Sequence, residues 1–504
     1  MDKLIETVNL FIEENKKQWL ILRIIVGFGL LLVLINVILQ AVTMGLDPDE
    51  IEHAHAGWLM FKGKVIYQDF YENHPPIHYL FIMFYYKFFG ENTSVFFWTR
   101  ALMVTNFFIS ITLLYLIGKE LFGSLGGLLA SMIFSFNRLA QNIAIVSRPD
   151  GFMLVTLLGG IYCFLRAWKK EFYSYQAIMA GLLLGLSFSA HPRGGFVIIG
   201  LAITTLYISI SQYGIKQIWE RKKGLFLFAI FYFLPIFLPF FIYGFKTYYQ
   251  AVYFAGTRVV FYYEPWEKIW LILTQSFAIF PLAFIALGIY SYEIIKNIKT
   301  PKSYVLAFFL TLTSFVGLTL WPIIRQLKGL ESVRGPMPDH NYYIFILTLS
   351  LFVSGSFVWV VGQLDLRKRL IVLYLICILG VVSNLRPRYW YFSWTGLKTN
   401  LEFINKANLL IPEQETYLGV ISNNPVFRKD ATYFWHDDLA FIKNFDPNFH
   451  HDFVADLEKN RPFLVNQDFL NLLNFDPIEK QRLKEYIEKN YHPVKNMPNF
   501  RIRN

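Results

Sequence analysis

Apolar stretches of roughly 17 to 23 residues, broken by short polar punctuation, recur along the chain as far as about Leu385. Each is long enough to cross about 30 Å of hydrocarbon at 1.5 Å per residue. About eleven can be counted, centred near Leu31, Phe108, Leu129, Leu158, Leu183, Ile203, Leu234, Phe280, Leu312, Phe352 and Ile376. The first follows a charged, helix-like start, Met1 to Gln18, and no small-residue cleavage site comes after it, so it reads as a retained anchor. Basic clusters (Lys16 and Lys17, Lys169 and Lys170, Arg221 to Lys223, Lys296 with Lys299 and Lys302, Arg367 to Arg369) all fall on one side of these runs. By the positive-inside rule that side is cytoplasmic, which puts the N-terminus inside.

An odd number of crossings places the remainder, 386–504, outside. No further membrane-length run occurs there. Tyr417 to Ile421 and Pro462 to Val465 read as strands beside a helical Pro477 to Lys489, which describes a small mixed α/β domain. The fold expected is therefore an α-helical polytopic membrane protein with about eleven transmembrane helices over 1–385, interfacial helices in the first outer loop, and an extracytoplasmic α/β domain over 386–504.

Composition agrees with a bilayer. Of 504 residues, 55% are hydrophobic and only 16% charged, more apolar surface than one water-soluble core would bury. A net charge of +11 raises the question of nucleic acid, but the cations sit in clusters between apolar runs and form no basic face. Cys163 and Cys377 both lie in apolar runs, so no disulfide framework or zinc cluster is available to them.

The densest polar content of the membrane half lies between the first two runs, in a loop of about residues 43–94. All ten histidines fall at or beyond the outer face, four of them in this loop, which places the chemistry outside. Ile51, Ala54, His55, Trp58 and Leu59 follow helical spacing up to Gly63, predicting a helix over Asp49 to Lys62 that lies on the membrane; Pro75 and Pro76 open a second toward Phe89. Asp47 suits the N-cap, Pro48 the first turn and Glu50 a capping box. Capping accounts for Asp47 and Glu50. It leaves Asp49, an acid at the mouth of the membrane that no cap requires, although an acid also complements the helix dipole there.

The run Asp49-Glu50, an amphipathic helix, Gly63, Asp69 and then Glu72-Asn73-His74-Pro75-Pro76 resembles the first outer loop of the type-C (GT-C) glycosyltransferases that use polyprenyl-phosphate sugars, a group that includes protein O-mannosyltransferases and lipid A aminoarabinose transferases. Ser147-Arg148-Pro149-Asp150 is similar to the second acidic position of that family, and Pro338-Asp339-His340-Asn341-Tyr342-Tyr343 to its late aromatic-basic motif. The aminoarabinose transferases carry a lysine where this chain has His74. The resemblance implies a single inverting displacement at the anomeric carbon, a polyprenyl-phosphate-linked donor, a lipid, glycan or protein acceptor, and no required cofactor.

Such a reaction needs a base for the acceptor hydroxyl and positive charge for the leaving phosphate. Asp49 is the expected base, and Glu50 is expected to hold a hydroxyl of donor or acceptor. Asp150 would orient a substrate, with an N-cap for the next span as its ordinary reading. Glu72, His74, Arg148, His191, Arg193, Arg258, His340 and Tyr342 complete the expected substrate-binding set. Each arginine alone reads equally as a headgroup contact or snorkelling anchor. Glu72 with His191 or His74 offers donors for a divalent metal, though no spacing imposes a site. Tyr248 to Trp266 reads as an interfacial aromatic belt or as plates for sugar rings. A polytopic transporter or lipid flippase is the alternative reading, and a non-catalytic scaffold a third; against transport, the polar groups gather at one face and the two halves show no repeat.

Overall fold

The computed structural model describes residues 16–170, 175–210, 222–255, 302–327, 343–385, 396–419, 424–431, 452–468, 477–495 and 497–504, with a few shorter pieces between them. The first helix, α1 (Lys16–Thr43), is apolar all round. Leu22, Val26, Val33 and Val37 are buried at helical spacing, while Leu20, Ile24, Phe28, Leu31, Ile35 and Ile38 are exposed on its other side. That outer stripe is what a bilayer accepts and water does not.

There follow α2 (Pro48–Phe61), α3 (Ile77–Phe89), α4 (Val95–Ser135), α5 (Arg138–Ile143), α6 (Pro149–Lys169), α7 (Tyr175–Ala190), α8 (Gly194–Ile208), α9 (Lys222–Tyr243), α10 (Lys302–Leu327), α11 (Tyr343–Gln363) and α12 (Leu366–Leu385). Five of the described helices, α1, α4, α6, α9 and α11, are long and apolar enough to cross a membrane, against about eleven crossings expected; α7, α8 and part of α10 are apolar but shorter. At 1.5 Å per residue α7 and α8 reach only about 22–24 Å, less than the hydrocarbon thickness. The run near Phe280 lies outside the described residues.

The long α4 contains two of the expected runs. Gly123, at φ 78° and ψ 179°, interrupts it, and the chain folds back there. A Cβ on Gly118 would lie 2.9 Å from the Gly127 Cα, whereas straight helix would separate the two residues by about 13 Å. The limbs 95–122 and 124–135 thus meet through glycine, where no side chain holds the backbones apart.

After the membrane helices come α13 (Gly396–Leu410), β1 (Thr416–Leu418), β2 (Lys429–Asp430), α14 (Phe453–Asn460), β3 (Leu464–Asn466), α15 (Pro477–Asn490), β4 (Tyr491–Val494) and β5 (Met497–Arg503). The strands form one mixed sheet in the order β2-β1-β3-β5-β4. β1 runs parallel to β2 and β3, and β5 antiparallel to β3 and β4. Leu418 and Val465 from the strands and Leu483 and Ile487 from α15 share a buried core. The strand and helix signals read from the sequence in this region are present, together with the small α/β fold they implied.

The first loop departs from expectation. Every residue of α2 from Glu50 to Leu59 is buried, so the helix does not lie on the membrane with one face in water. Its polar face carries Glu52, His53 and His55 inward, where other elements meet them. The outward apolar face belongs instead to α3, through Phe81, Phe84, Phe88 and Phe89. Tyr248 is neither belt nor plate: it is buried and packs edge-on against Tyr67 at 5.5 Å.

Candidate active site

Asp47 caps α2 by accepting from the Asp49 amide, and Glu50 Oε2 accepts from the Asp47 amide at 3.0 Å, completing the capping box read from the sequence. Glu50 does more than cap. Arg100, from inside α4, donates Nε to Oε1 at 2.9 Å and Nη2 to Oε2 at 2.7 Å. Oε1 also accepts from the Ser147 amide at 3.1 Å. The same guanidinium donates to the carbonyls of Ala41, Met44 and Gly45, each at 2.8 Å, at the end of α1. A carboxylate offers about four lone-pair sites, and four protein donors occupy those of Glu50. It joins α1, α2, α4 and the 147 loop.

Asp49 points elsewhere. Its carboxylate is 31% exposed and Oδ2 lies 2.7 Å from Arg148 Nη2, which also reaches Asp47 Oδ1 at 3.0 Å. Burial works against the Arg148 charge, but Asp49, Asp47 and Asp150 outweigh it and hold the guanidinium above its usual range. Arg148 occupies the N-cap position of α6, so Asp150 lies inside the helix and is not its cap. Asp150 is buried and 3.4 Å from Arg193 Nη1, whose side chain is 24% exposed. Burial holds Arg193 below its ordinary value; Asp150 opposes this and Arg148 adds to it. The starts of α2, α6 and α8 therefore bring two partly exposed carboxylate–guanidinium pairs to one place.

His191 lies beside them, its Nδ1 accepting from the Arg193 amide at 3.2 Å. Burial, then Arg193, lowers its pKa well below normal, so it is neutral and brings a ring nitrogen in place of a charge. Its ring centroid is 6.3 Å from that of His74, which leads to a second cluster. Glu72 is buried, and its Oε1 accepts from the amides of Asn73 at 2.8 Å and His74 at 3.2 Å and contacts His74 Nδ1 at 3.0 Å.

Behind this pair stands His53, whose Nδ1 donates to the Ser147 carbonyl at 2.8 Å. That bond leaves Nε2 without its proton, because burial and then the neighbouring His78 keep the ring neutral. Burial, then His74, lowers His78 to about 3. Glu72 Oε2 and His53 Nε2 are both buried with no hydrogen-bond partner among the described residues. Glu52, Glu72 and His74 bring ligand atoms within 4.8 Å of one another, a donor set suited to a divalent cation. The third member is Glu52, where the sequence pointed to His191.

Of the expected residues, Asp49, Arg148, Asp150, Arg193, His191, Glu72 and His74 gather around this face. Glu50 is turned away from it into its Arg100 contact, so the geometry gives it a positioning part and leaves no lone pair for a substrate hydroxyl. Arg258, His340 and Tyr342 lie outside the described residues. The sequence reading missed Arg100, Glu52 and His53. Arg100 was legible in principle, as a lone arginine early in an apolar run is costly unless paired.

Residues 73–243 match the dolichyl-phosphate-mannose-protein mannosyltransferase family. No curated protein sequence matches significantly. Among solved structures, the apo crystal structure of ArnT from Cupriavidus metallidurans superposes with a TM-score of 0.58 at 12% identity, covering 97% of this chain and 98% of that one. The same protein bound to undecaprenyl phosphate gives 0.59 at 13% identity, covering 96% and 97%. The fold is thus shared with ArnT over nearly the whole chain, including the C-terminal α/β part, and residues 73–243 are similar to the protein mannosyltransferases.

Proposed function

We propose that this chain is a membrane glycosyltransferase that moves a sugar from a polyprenyl-phosphate donor to an acceptor hydroxyl on the extracytoplasmic face. One observation carries the reading: a solvent-reachable carboxylate, Asp49, stands beside Arg148 at the ends of apolar helices, with Arg193 and Asp150 next to it. Asp49 takes the proton of the acceptor hydroxyl. The freed oxygen attacks the anomeric carbon, the bond to the phosphate oxygen breaks with inversion, and the electron pair leaves on the phosphate. Arg148 and Arg193 meet that charge, and His191 and His74 supply polar contacts around it.

The donor phosphate competes for Arg148, and as Arg148 turns to it Asp49 is released to act. Glu50 holds the pose. Asp150 keeps Arg193 in place, and Arg258, His340 and Tyr342 remain assigned to the substrate-binding set. The same reading carries a cytoplasmic N-terminus, a membrane domain over 1–385 and an outer domain over 386–504. No step is routed through a metal.

The test is Asp49→Asn in purified protein. Transfer is expected to fall at least about 100-fold, while the melting temperature and donor binding, read by native mass spectrometry against a panel of polyprenyl-phosphate sugars, stay as in the parent. Unchanged transfer would remove Asp49 from the mechanism. Retention of nucleotide sugars alone would remove the donor class.

A further inference from the structure

The C-terminal α/β part grips α2, the helix whose first turn presents Asp49. His55, fully buried on α2, has Nδ1 2.5 Å from the Val426 carbonyl and Nε2 2.6 Å from Asp430 Oδ2. Both ring nitrogens are thus engaged, by contacts that span 371 and 375 positions of sequence. The cradle is built in advance. Val426 sits at φ 69°, a left-handed conformation that a β-branched residue adopts only under constraint. Asn424 supplies that constraint: its Oδ1 accepts from the Val426 amide at 2.7 Å and its Nδ2 donates to Asp430 Oδ1 at 3.2 Å.

The cradle is itself tied to α13. Asn408 donates to the Pro425 carbonyl at 2.5 Å, and Arg428 donates to the carbonyls of Ile411 at 2.6 Å and of Asn408. From the same helix α13, Asn400 Oδ1 accepts from the Leu46 amide at 3.0 Å, immediately before the Asp47 cap. The α/β part therefore touches α2 at both ends of the segment that carries Asp49. His55 lies six residues after Asp49, about 9 Å along the helix.

We infer that His55 and Asp430 are positioning residues for transfer: through them the C-terminal α/β part sets the pose of the Asp49 helix relative to the donor cations. This rests on the glycosyltransferase reading above. Arg148 and Arg193 belong to α6 and α8, whereas Asp49 belongs to α2, so loosening this latch displaces the base and leaves the phosphate contacts where they are. A displacement of the order of 1 Å at a reacting group costs up to about 100-fold in rate. The signature is a fall in kcat with an unchanged dissociation constant for the lipid-linked donor.

The experiment compares Asp430→Ala and Asp430→Glu in the full-length detergent-purified protein, by steady-state transfer, donor binding, and amide hydrogen exchange of peptides covering 48–61. For Asp430→Ala, kcat is expected to drop 10- to 100-fold, donor affinity to stay within 2-fold, and exchange over 48–61 to speed up at least 10-fold. Asp430→Glu is expected to recover a good part of all that is lost. If Asp430→Ala misfolds, His55→Gln, which keeps a donor toward the cradle, carries the same comparison. Normal kcat with normal exchange would overturn the latch, as would equal losses in kcat and donor affinity without rescue by glutamate. If the parent protein transfers no polyprenyl-linked sugar, the glycosyltransferase reading fails, and the exchange data alone then decide whether the latch exists.

Discussion

Replacing Glu50 by glutamine separates a positioning carboxylate from a catalytic one. The side chain is 0% exposed and its partner Arg100 1%, so the pair is desolvated. The amide keeps the shape but removes the charge and turns one acceptor into a donor. That donor faces either the Arg100 guanidinium or the backbone amides of Asp47 and Ser147. A buried guanidinium left without its counter-charge costs about 3–5 kcal/mol, a large part of the roughly 5–15 kcal/mol that holds a folded protein together. In a thermal scan of tryptophan fluorescence this is expected to lower the melting temperature by several degrees, with transfer falling in parallel. Adding Arg100→Met removes the stranded charge and should return part of the loss, although the α1 carbonyls lose their donor. If Glu50→Gln melts as the parent does while transfer falls by about 100-fold, Glu50 touches the reaction, as the sequence suggested, and the positioning account fails.

Three further outcomes follow from the same geometry. Arg193→Gln should weaken donor retention in native mass spectrometry about 10-fold or more, with the parent melting temperature nearly kept; unaltered donor binding would leave Arg193 as an anchor for Asp150 only. Acid should destabilise the fold through His53, His78 and His191, whose pKa values are depressed by burial. Below the unfolded value near 6.5 the unfolded chain takes up protons that the folded one refuses, so stability falls as pH falls, by about 1 kcal/mol at pH 5.5 from His78 alone; a flat melting temperature between pH 7 and 5.5 would contradict the burial of His53 and His78. Elemental analysis after dialysis against zinc or manganese tests the Glu52, Glu72 and His74 cluster: about one ion per chain, lost in Glu72→Gln, is expected if it is a metal site, and equal metal content in parent and variant would exclude it.

Much of this protein was legible because its signals are local. Membrane runs are composition over about 20 residues, and the Asp47-Pro48-Glu50 cap and the Gly63 stop are read within a few positions of each helix end. The strand segments at 416–418 and 464–466 and the helix at 477–490 likewise follow from short periodicities. What the sequence withheld is the sum of contacts between distant residues. The fold-back at Gly123 separates the two runs read near Phe108 and Leu129, but the sequence did not show that the two limbs meet through Gly118 and Gly127. Glu50 reads as a cap or a catalyst from its neighbours, and only Arg100, fifty positions away, shows why its oxygens are spent. The face of α2 was read as lying on lipid because spacing reports which residues are apolar, not what covers the polar ones. The covering comes from α3 and from Val426 and Asp430 in the C-terminal part. Asp49 was singled out from sequence alone because no cap required it. Its partner Arg148, and the two arginines set beside two carboxylates, were decided by tertiary structure, since only packing brings the starts of α2, α6 and α8 to one point.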